Sequence, residues 1–179
     1  MAFFYCPMKK YIVFLLTNII LAGQGDAAER YYVQEVKDGD TIMVSKHGIE
    51  ERFEIRLSDI DAPETFKGKR RPGQPYSRMA ANALAAEVLN KEVELQCYGL
   101  DRNKRNVCHV YVNGEDAGLK LVQAGLAWAA TYNMRFVRSP KTVPAEQLAK
   151  SARKGLWADT SEPIAPWIWR RECWGAGRC

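Results

Sequence analysis

The sequence lacks the features that mark several common protein classes. Its 179 residues contain no run that approaches the roughly 18 consecutive apolar residues of a membrane-spanning helix. Five cysteines are too few for the disulfide framework of a miniprotein. With 47% hydrophobic and 26% charged residues, 13 glycines and 8 prolines, the chain is not collagenous, disordered or a coiled coil. These exclusions leave a globular protein, and the length fits one compact domain.

The charge balance is modestly basic. Lysine and arginine number 26 against 21 aspartates and glutamates, which gives a formal net charge of +5. Such an excess suits a polyanionic partner without requiring one.

The first 27 residues have the pattern of a secretory signal peptide. Lys9 and Lys10 precede an apolar run at residues 11–21, and small residues follow it. A basic region, a short apolar segment and a small-residue cleavage zone are the three parts of such a signal. An uncleaved membrane anchor is the weaker alternative, because the run is too short for about 30 Å of hydrocarbon. We therefore expect cleavage after Ala27 and export of residues 28–179 as a secreted or periplasmic protein without stable membrane insertion.

Export makes the remaining cysteines candidates for disulfides. Removal of the leader leaves four of them, Cys97, Cys108, Cys173 and Cys179. The first two lie on neighbouring predicted strands and the last two enclose a short loop with glycines, but four cysteines allow three connectivities. A Zn²⁺ site is the alternative, although the spacing has no Cys-x2-Cys pattern. We expect disulfides, with their connectivity left open.

Hydrophobic periodicity predicts a mainly β, α+β fold with five strands and three helices. The predicted strands are residues 31–36, 41–46, 52–57, 93–98 and 107–112, and the predicted helices are residues 76–89, 119–124 and 145–154. Asp38-Gly39 between the first two strands is a strong hairpin signal. A five-stranded OB-fold barrel over residues 28–160 has this composition. Residues 161–179 form a tail that contains three of the five tryptophans.

Acidic residues cluster at the ends of the predicted strands. They are Asp38, Asp40, Asp61 and Glu64. Hard cations such as Ca²⁺ take several oxygen ligands, carboxylates among them. The spacing excludes an EF-hand, because Gly39 and Ile42 stand where that loop needs other residues. Taken singly, each acid is explained as well by a turn or a polar loop.

Two arginines make the acids more informative. Arg56 lies on the polar face of the third strand, a few residues before Asp61 and Glu64, and Arg105 precedes the fifth strand. Guanidinium groups match phosphate oxygens and stay charged at any working pH. A metal ion, a carboxylate that takes a proton from water and two guanidinium groups are what phosphodiester hydrolysis requires.

Six motifs follow one another along the chain. They are Asp38-Gly-Asp-Thr41, Ile55-Arg-Leu-Ser-Asp-Ile-Asp-Ala-Pro-Glu64, Gly73-Gln-Pro-Tyr-Ser77, Gly99-Leu-Asp-Arg-Asn-Lys-Arg105, Leu121-Val-Gln-Ala-Gly-Leu-Ala-Trp128 and Ala152-Arg-Lys-Gly-Leu-Trp157. In this order they resemble the staphylococcal (micrococcal) nuclease family, and Pro166-Trp-Ile-Trp-Arg-Arg171 is similar to the ending of many bacterial members. The resemblance implies an OB-fold, Ca²⁺-dependent endonuclease that cleaves DNA and RNA to 3′-phosphate and 5′-hydroxyl ends.

The resemblance also implies a metal site. Asp40 and Asp61 match the family's calcium carboxylates. Ala62 matches the position that contributes a backbone carbonyl, and Asp38 matches an acid that supports the water shell of the metal.

The same resemblance implies three catalytic residues. Arg56 and Arg105 match the two phosphate-binding arginines, and Glu64 matches the carboxylate assigned as general base. The turn before Arg105 departs from the family pattern, since Asn103 replaces a tyrosine and Lys104 replaces a glycine. Positive φ is costly for lysine, so a different turn conformation here would displace Arg105.

Two basic or aromatic segments each allow two interpretations. The run at residues 67–71 either steers a polyanionic backbone or is a solvated loop. The tail tryptophans, with Arg170 and Arg171, either stack on single strands or form a hydrophobic strap, and the tendency of tryptophan to be buried favours the strap. The resemblance also implies a candidate to stack on a bound nucleotide, Tyr132, which follows Trp128 where the family has tyrosines that cover the nucleotide.

Two classes of function remain. The first is an exported, monomeric, Ca²⁺-dependent nuclease that acts on DNA and RNA. The alternative is a non-catalytic nucleic-acid-binding OB-fold module, as in eukaryotic relatives of the family that have lost the catalytic positions. This chain keeps those positions, which favours the enzyme.

Overall fold

Five long strands form a barrel. The computed structural model describes Met1, residues 29–46, residue 49 and residues 51–179. The strands are β1 (Arg30–Asp38), β2 (Thr41–Lys46), β3 (Arg52–Leu57), β5 (Glu92–Leu100) and β6 (Asn106–Val112), with two-residue strands β4 (Ile60–Asp61), β7 (Glu115–Asp116) and β8 (Trp128–Ala129). Apart from Met1, the predicted signal peptide at residues 1–27 lies outside the described residues, so it stays a prediction.

The barrel is closed by a parallel pairing. The long strands follow the order β3-β2-β1-β5-β6 with antiparallel pairing, and β3 then pairs with β6 in parallel. One face of each strand is apolar and points into the core, as Val33, Val44 and Val110 do, because successive side chains in a strand alternate between its faces. The predicted five-stranded OB-fold barrel is confirmed.

Helices cover the outside of the barrel. They are α1 (Ser77–Val88), α2 (Ala117–Gln123) and α3 (Thr142–Ser151), at the three predicted places, and none of the described helices has the length and apolar character that a membrane crossing requires. The α3 helix lies three residues earlier than predicted. Pro144 is tolerated in its first turn, and the left-handed Arg153, with φ of 49°, follows soon after its end.

The tail contains a fourth helix that periodicity did not predict. It is α4 (Pro166–Trp169), which continues into a π-helical stretch, Arg170–Gly175. Four residues are barely one turn, so no repeating apolar pattern develops. The sequence therefore predicted three helices where the described residues form four α-helices.

The β1–β2 hairpin is packed tightly against the rest of the domain. A Cβ atom on Gly39 would lie 2.7 Å from the Cβ of Ala62 and 2.8 Å from the Cβ of Ala80. Only glycine permits this approach. The approach brings Asp38 and Asp40, on either side of Gly39, next to the chain that follows β4.

Two disulfides are formed in the described chain. Cys97 and Cys108 face each other across the β5–β6 ladder, and Cys173 pairs with Cys179 at the end of the tail. The structure therefore has disulfides in place of the alternative zinc site, with one of the three connectivities that the sequence allowed.

His109 is a buried structural residue. Its side chain is 4% exposed, with Nδ1 at 2.5 Å from Asp116 and Nε2 at 3.3 Å from Asp59. Burial opposes its charge, but hydrogen bonds to the two carboxylates raise the pKa of His109 to about 9. His109 is therefore a cation at neutral pH that joins β6, β7 and the chain between β3 and β4.

We expect the ion pairs of His109 to make the unfolding free energy fall as the pH rises into the alkaline range. Because its pKa rises from an ordinary value of 6.5 in the unfolded chain to about 9 in the fold, its ion pairs stabilise the protein fully below about pH 6.5 and are lost as the pH rises through 9. Urea unfolding at about pH 7 and about pH 10 should show this loss of unfolding free energy. The His109→Gln variant should be less stable than the wild type at neutral pH. Its unfolding free energy should also fall less than that of the wild type as the pH is raised. An equal loss in both proteins would contradict the assignment.

Candidate active site

The residues predicted for the site meet at one end of the barrel, and the space between their side chains is called the cleft. They are Asp38 and Asp40 from the β1–β2 hairpin, Arg56 from β3, Asp61 from β4, Ala62 and Glu64 from the loop after β4, and Arg105 from the β5–β6 turn. The elements come together because the hairpin, the end of β3 and the start of β6 lie side by side in the closed barrel.

Arg56 joins two buried aspartates. Its Nη1 lies 3.0 Å from Asp40 Oδ2, and its Nη2 lies 3.0 Å from Asp61 Oδ1. The side chain of Asp61 is 1% exposed, and a buried carboxylate is tolerated only with a cation or hydrogen bonds. Burial would raise the pKa of Asp40, but the Arg56 guanidinium and the Ala62 N–H, at 2.9 Å, hold that pKa below its usual range.

Asp38 lies at the rim of this pair. One of its oxygens accepts a hydrogen bond from the Asp40 N–H at 3.2 Å, and the other is 3.4 Å from Lys67 Nζ. Burial, and then the neighbouring charge of Asp40, raise the pKa of Asp38 to about 7. Additional positive charge in the cleft would therefore favour its ionised form.

Glu64 is oriented from both sides. Its Oε1 accepts a hydrogen bond from Arg170 Nη1 at 2.5 Å, and its Oε2 is 3.3 Å from Lys67 Nζ. The Glu64 N–H donates to Gln74 Oε1 at 3.1 Å, and the Glu64 carbonyl accepts from the Gln74 N–H at 2.7 Å. These bonds fix the loop, and Arg170 joins the Glu64 carboxylate to that of Asp61.

Arg105 is oriented by its own turn. Its Nε and Nη2 lie 2.9 Å and 2.7 Å from Asp101 Oδ2, and its Nη1 donates to Thr41 Oγ1 at 3.2 Å. Thr41 in turn donates to Asp40 Oδ1 at 3.0 Å. Lys104 has φ of 62°, so the turn keeps a left-handed residue at this position and Arg105 reaches the cleft.

The cleft suits a hard cation. Asp40 and Asp61 each turn an oxygen toward the same Arg56 guanidinium, so these oxygens converge. Within the described residues, no group of three or more His, Cys, Asp or Glu side chains has the arrangement of a metal cage. Two carboxylates would need carbonyl and water ligands beside them, which Ca²⁺ accepts, and the absence of sulfur and imidazole from this set disfavours softer metals.

Comparison with known proteins identifies the family. Residues 54–159 match the family model described as staphylococcal nuclease homologue. The thermonuclease of Staphylococcus hyicus is 32% identical over 141 residues, which cover 77% of this chain and 82% of that protein. This chain belongs to the staphylococcal nuclease family. It is therefore a nuclease, a hydrolase of phosphodiester bonds.

Two further relatives show the range of the family. A Haemophilus influenzae protein named as an uncharacterized endonuclease is 32% identical over 140 residues, or 78% of this chain and 72% of that protein. A probable staphylococcal-like nuclease of Oryza sativa subsp. japonica is 37% identical over 122 residues. These residues are 68% of this chain and 33% of the rice protein, so the match to the rice protein is confined to one part of it.

Four residues of the nuclease cleft were not among the predicted site residues. They are Thr41, Lys67, Gln74 and Arg170. Thr41 and Gln74 lie inside the family motifs and Lys67 lies in the basic run, so each had a local signal. The carboxylate partners of Arg170 lie 106 and 109 residues earlier in the chain, a distance over which sequence patterns carry little information.

The tail and the basic run are both attached to the cleft. Trp167 packs against Tyr132 with ring centroids 5.1 Å apart, which agrees with a packed strap. Tyr132 stays half-exposed, and burial followed by the charge of Asp61 raises the pKa of its hydroxyl. Arg71 lies 5.6 Å from the Trp174 ring, so the basic run is not simply a solvated loop.

Relief of the strained turn should stabilise this nuclease. A left-handed backbone conformation at a lysine lowers the unfolding free energy by about 1–2 kcal/mol. Glycine avoids this strain but lowers the unfolding free energy by roughly 0.4–1 kcal/mol, because it gives the unfolded chain more conformational entropy. We therefore expect Lys104→Gly to raise the unfolding free energy by up to about 1 kcal/mol in urea titrations. Arg102→Gly, in the same turn but without positive φ, is the control and should lower it. Equal destabilisation by both changes would show that position 104 is unstrained.

Proposed function

We propose that this chain is an exported, monomeric endonuclease that requires Ca²⁺ and hydrolyses DNA and RNA to 3′-phosphate and 5′-hydroxyl ends. One observation carries the proposal: buried aspartates, a glutamate and arginines from five parts of the chain face one cleft. Family membership and the basic net charge of +5 support it.

The cation site follows from the oxygen donors. Asp40 and Asp61 would hold the cation together with the carbonyl of Ala62, and Asp38 would support its water shell. A bound cation supplies charge stabilisation at a phosphoryl oxygen and makes water more acidic.

The side chains of the cleft carry out the proton transfer and the binding of the phosphate. Glu64 takes the proton of the attacking water through a carboxylate oxygen, as the hydroxide oxygen bonds to phosphorus and the bond to the 5′ oxygen breaks. The departing 5′ oxygen takes a proton from solvent water to become the 5′-hydroxyl, and Glu64 then returns its proton to the solvent. Arg56 and Arg105 donate N–H groups to the non-bridging oxygens, where negative charge grows. Asp40 and Asp61 position Arg56 in the cleft, and Asp101 positions Arg105, so both guanidinium groups are present there before substrate binds.

A cleavage assay tests the reaction class. The exported form, residues 28–179 with both disulfides formed, should cleave single-stranded DNA and RNA with Ca²⁺, and excess chelator should stop the reaction. The products should carry 3′-phosphates. Salt-sensitive binding without cleavage under any metal condition would contradict the proposal and favour the non-catalytic binding module.

Two substitutions test the roles of the side chains. Loss of a general base lowers the rate by about 10²–10⁴-fold, and we expect Glu64→Gln to lower kcat by at least about 10²-fold. Arg56→Ala should lower kcat/KM by about 10²–10³-fold, since a donor to the developing charge is lost. Glu92→Gln and Arg52→Ala, both at exposed positions on barrel strands, are the controls. A wild-type rate in either cleft variant would refute the assigned role.

A further inference from the structure

The C-terminal tail, residues 161–179, is fixed to the loop that carries Glu64. Gln74 Nε2 donates to the Ile164 carbonyl at 2.5 Å. The indole N–H groups of Trp169 and Trp174 donate to the Pro72 carbonyl at 3.2 Å and 3.0 Å. Gln74 also bonds to the backbone of Glu64, so the tail and the loop form one hydrogen-bonded unit.

Arg170 extends from this tail into the cleft. Its Nη1 lies 3.1 Å from Asp61 Oδ1 and 2.5 Å from Glu64 Oε1, and its Nη2 lies 2.7 Å from Asp61 Oδ2. The guanidinium thus binds both oxygens of Asp61 and one of Glu64. Its side chain is 27% exposed, whereas that of Asp61 is 1% exposed, so Arg170 closes the carboxylate pocket from the solvent side.

Arg170 and Arg56 converge on one atom. Arg56 Nη2 lies 3.0 Å from Asp61 Oδ1, the oxygen that also accepts from Arg170. Two guanidinium groups are held close together because a carboxylate lies between them. The planar fork of arginine binds carboxylate and phosphate with the same bidentate geometry, so a phosphate group can replace a carboxylate as its partner.

We propose that Arg170 is a third substrate-binding arginine of this nuclease, which contacts Asp61 and Glu64 in the free enzyme and the substrate phosphate in the complex. The inference rests on the proposed function, in which Asp61 is a ligand of the cation. Asp61 Oδ1 already accepts from both Arg56 and Arg170, so a cation that ligates this oxygen must displace one of the two guanidinium groups. We expect Arg170, on the solvent side, to be the one that moves. The released N–H donors remain beside Arg56, where they can bind a phosphate oxygen.

The positive charge of Arg170 should affect the binding of a cation and the binding of a phosphate differently, so its role in substrate binding can be measured. Without substrate, the positive charge of Arg170 opposes a second cation at Asp61. When a phosphate is present, the same charge is attractive and its N–H groups gain a partner. Removal of the Arg170 side chain should therefore affect cation binding and phosphate binding in opposite directions, which loss of a merely structural contact would not do.

The test compares two affinities by calorimetry. Ca²⁺ is titrated into the exported form of wild type, Arg170→Ala and Arg171→Ala, and thymidine 5′-monophosphate is then titrated at saturating Ca²⁺. Arg170→Ala should bind Ca²⁺ about tenfold more tightly, because a like charge is removed. It should bind the nucleotide about tenfold more weakly, because a charge-assisted hydrogen bond is lost. Arg171, 69% exposed and paired with Glu172, is the matched control and should behave as wild type when replaced.

Arg170→Lys provides a second variant that keeps the charge and loses the fork. It should bind Ca²⁺ as wild type does and bind the nucleotide with intermediate affinity, and thermal unfolding verifies that each variant is folded. Unchanged or tighter nucleotide binding in Arg170→Ala would overturn the proposal, whether or not Ca²⁺ binds more tightly. A wild-type protein that binds no Ca²⁺ would instead overturn the proposed function, and the role of Arg170 with it.

Discussion

The ion pair network around Asp61 is the constraint on which the site depends. An isolated charged carboxylate in the interior costs several kcal/mol, so a cleft that contains Asp40, Asp61 and Glu64 must be supplied with cations by the fold. Arg56 provides one from a barrel strand and Arg170 provides another from the tail. The tail is therefore attached to the barrel by electrostatics as well as by its tryptophans.

The same network explains how this site can exchange partners. Guanidinium groups bind carboxylates and phosphates alike, and buried carboxylates bind guanidinium groups and hard cations alike. A cation and a phosphate that arrive together can thus replace internal ion pairs without leaving buried charge unpaired. We infer that the free cleft is built in a form that substrate and Ca²⁺ can enter by substitution.

Much of the fold was predictable because its signals are local. Strands with a period of two and the Asp38-Gly39 turn predicted the barrel, and the ordered motifs predicted Arg56, Glu64 and Arg105 as neighbours. The partners of Arg170 are distant in sequence, and α4 is too short for a periodic pattern. His109 carried no motif, because its charge partners come from two separate segments that only the folded barrel brings together.

The most direct test is a crystal structure of residues 28–179 grown with saturating Ca²⁺. One ion should be ligated by Asp40 and Asp61, and Arg170 should no longer be bonded to both oxygens of Asp61. An ion bound elsewhere, with Arg56 and Arg170 still paired to Asp61, would contradict this expectation.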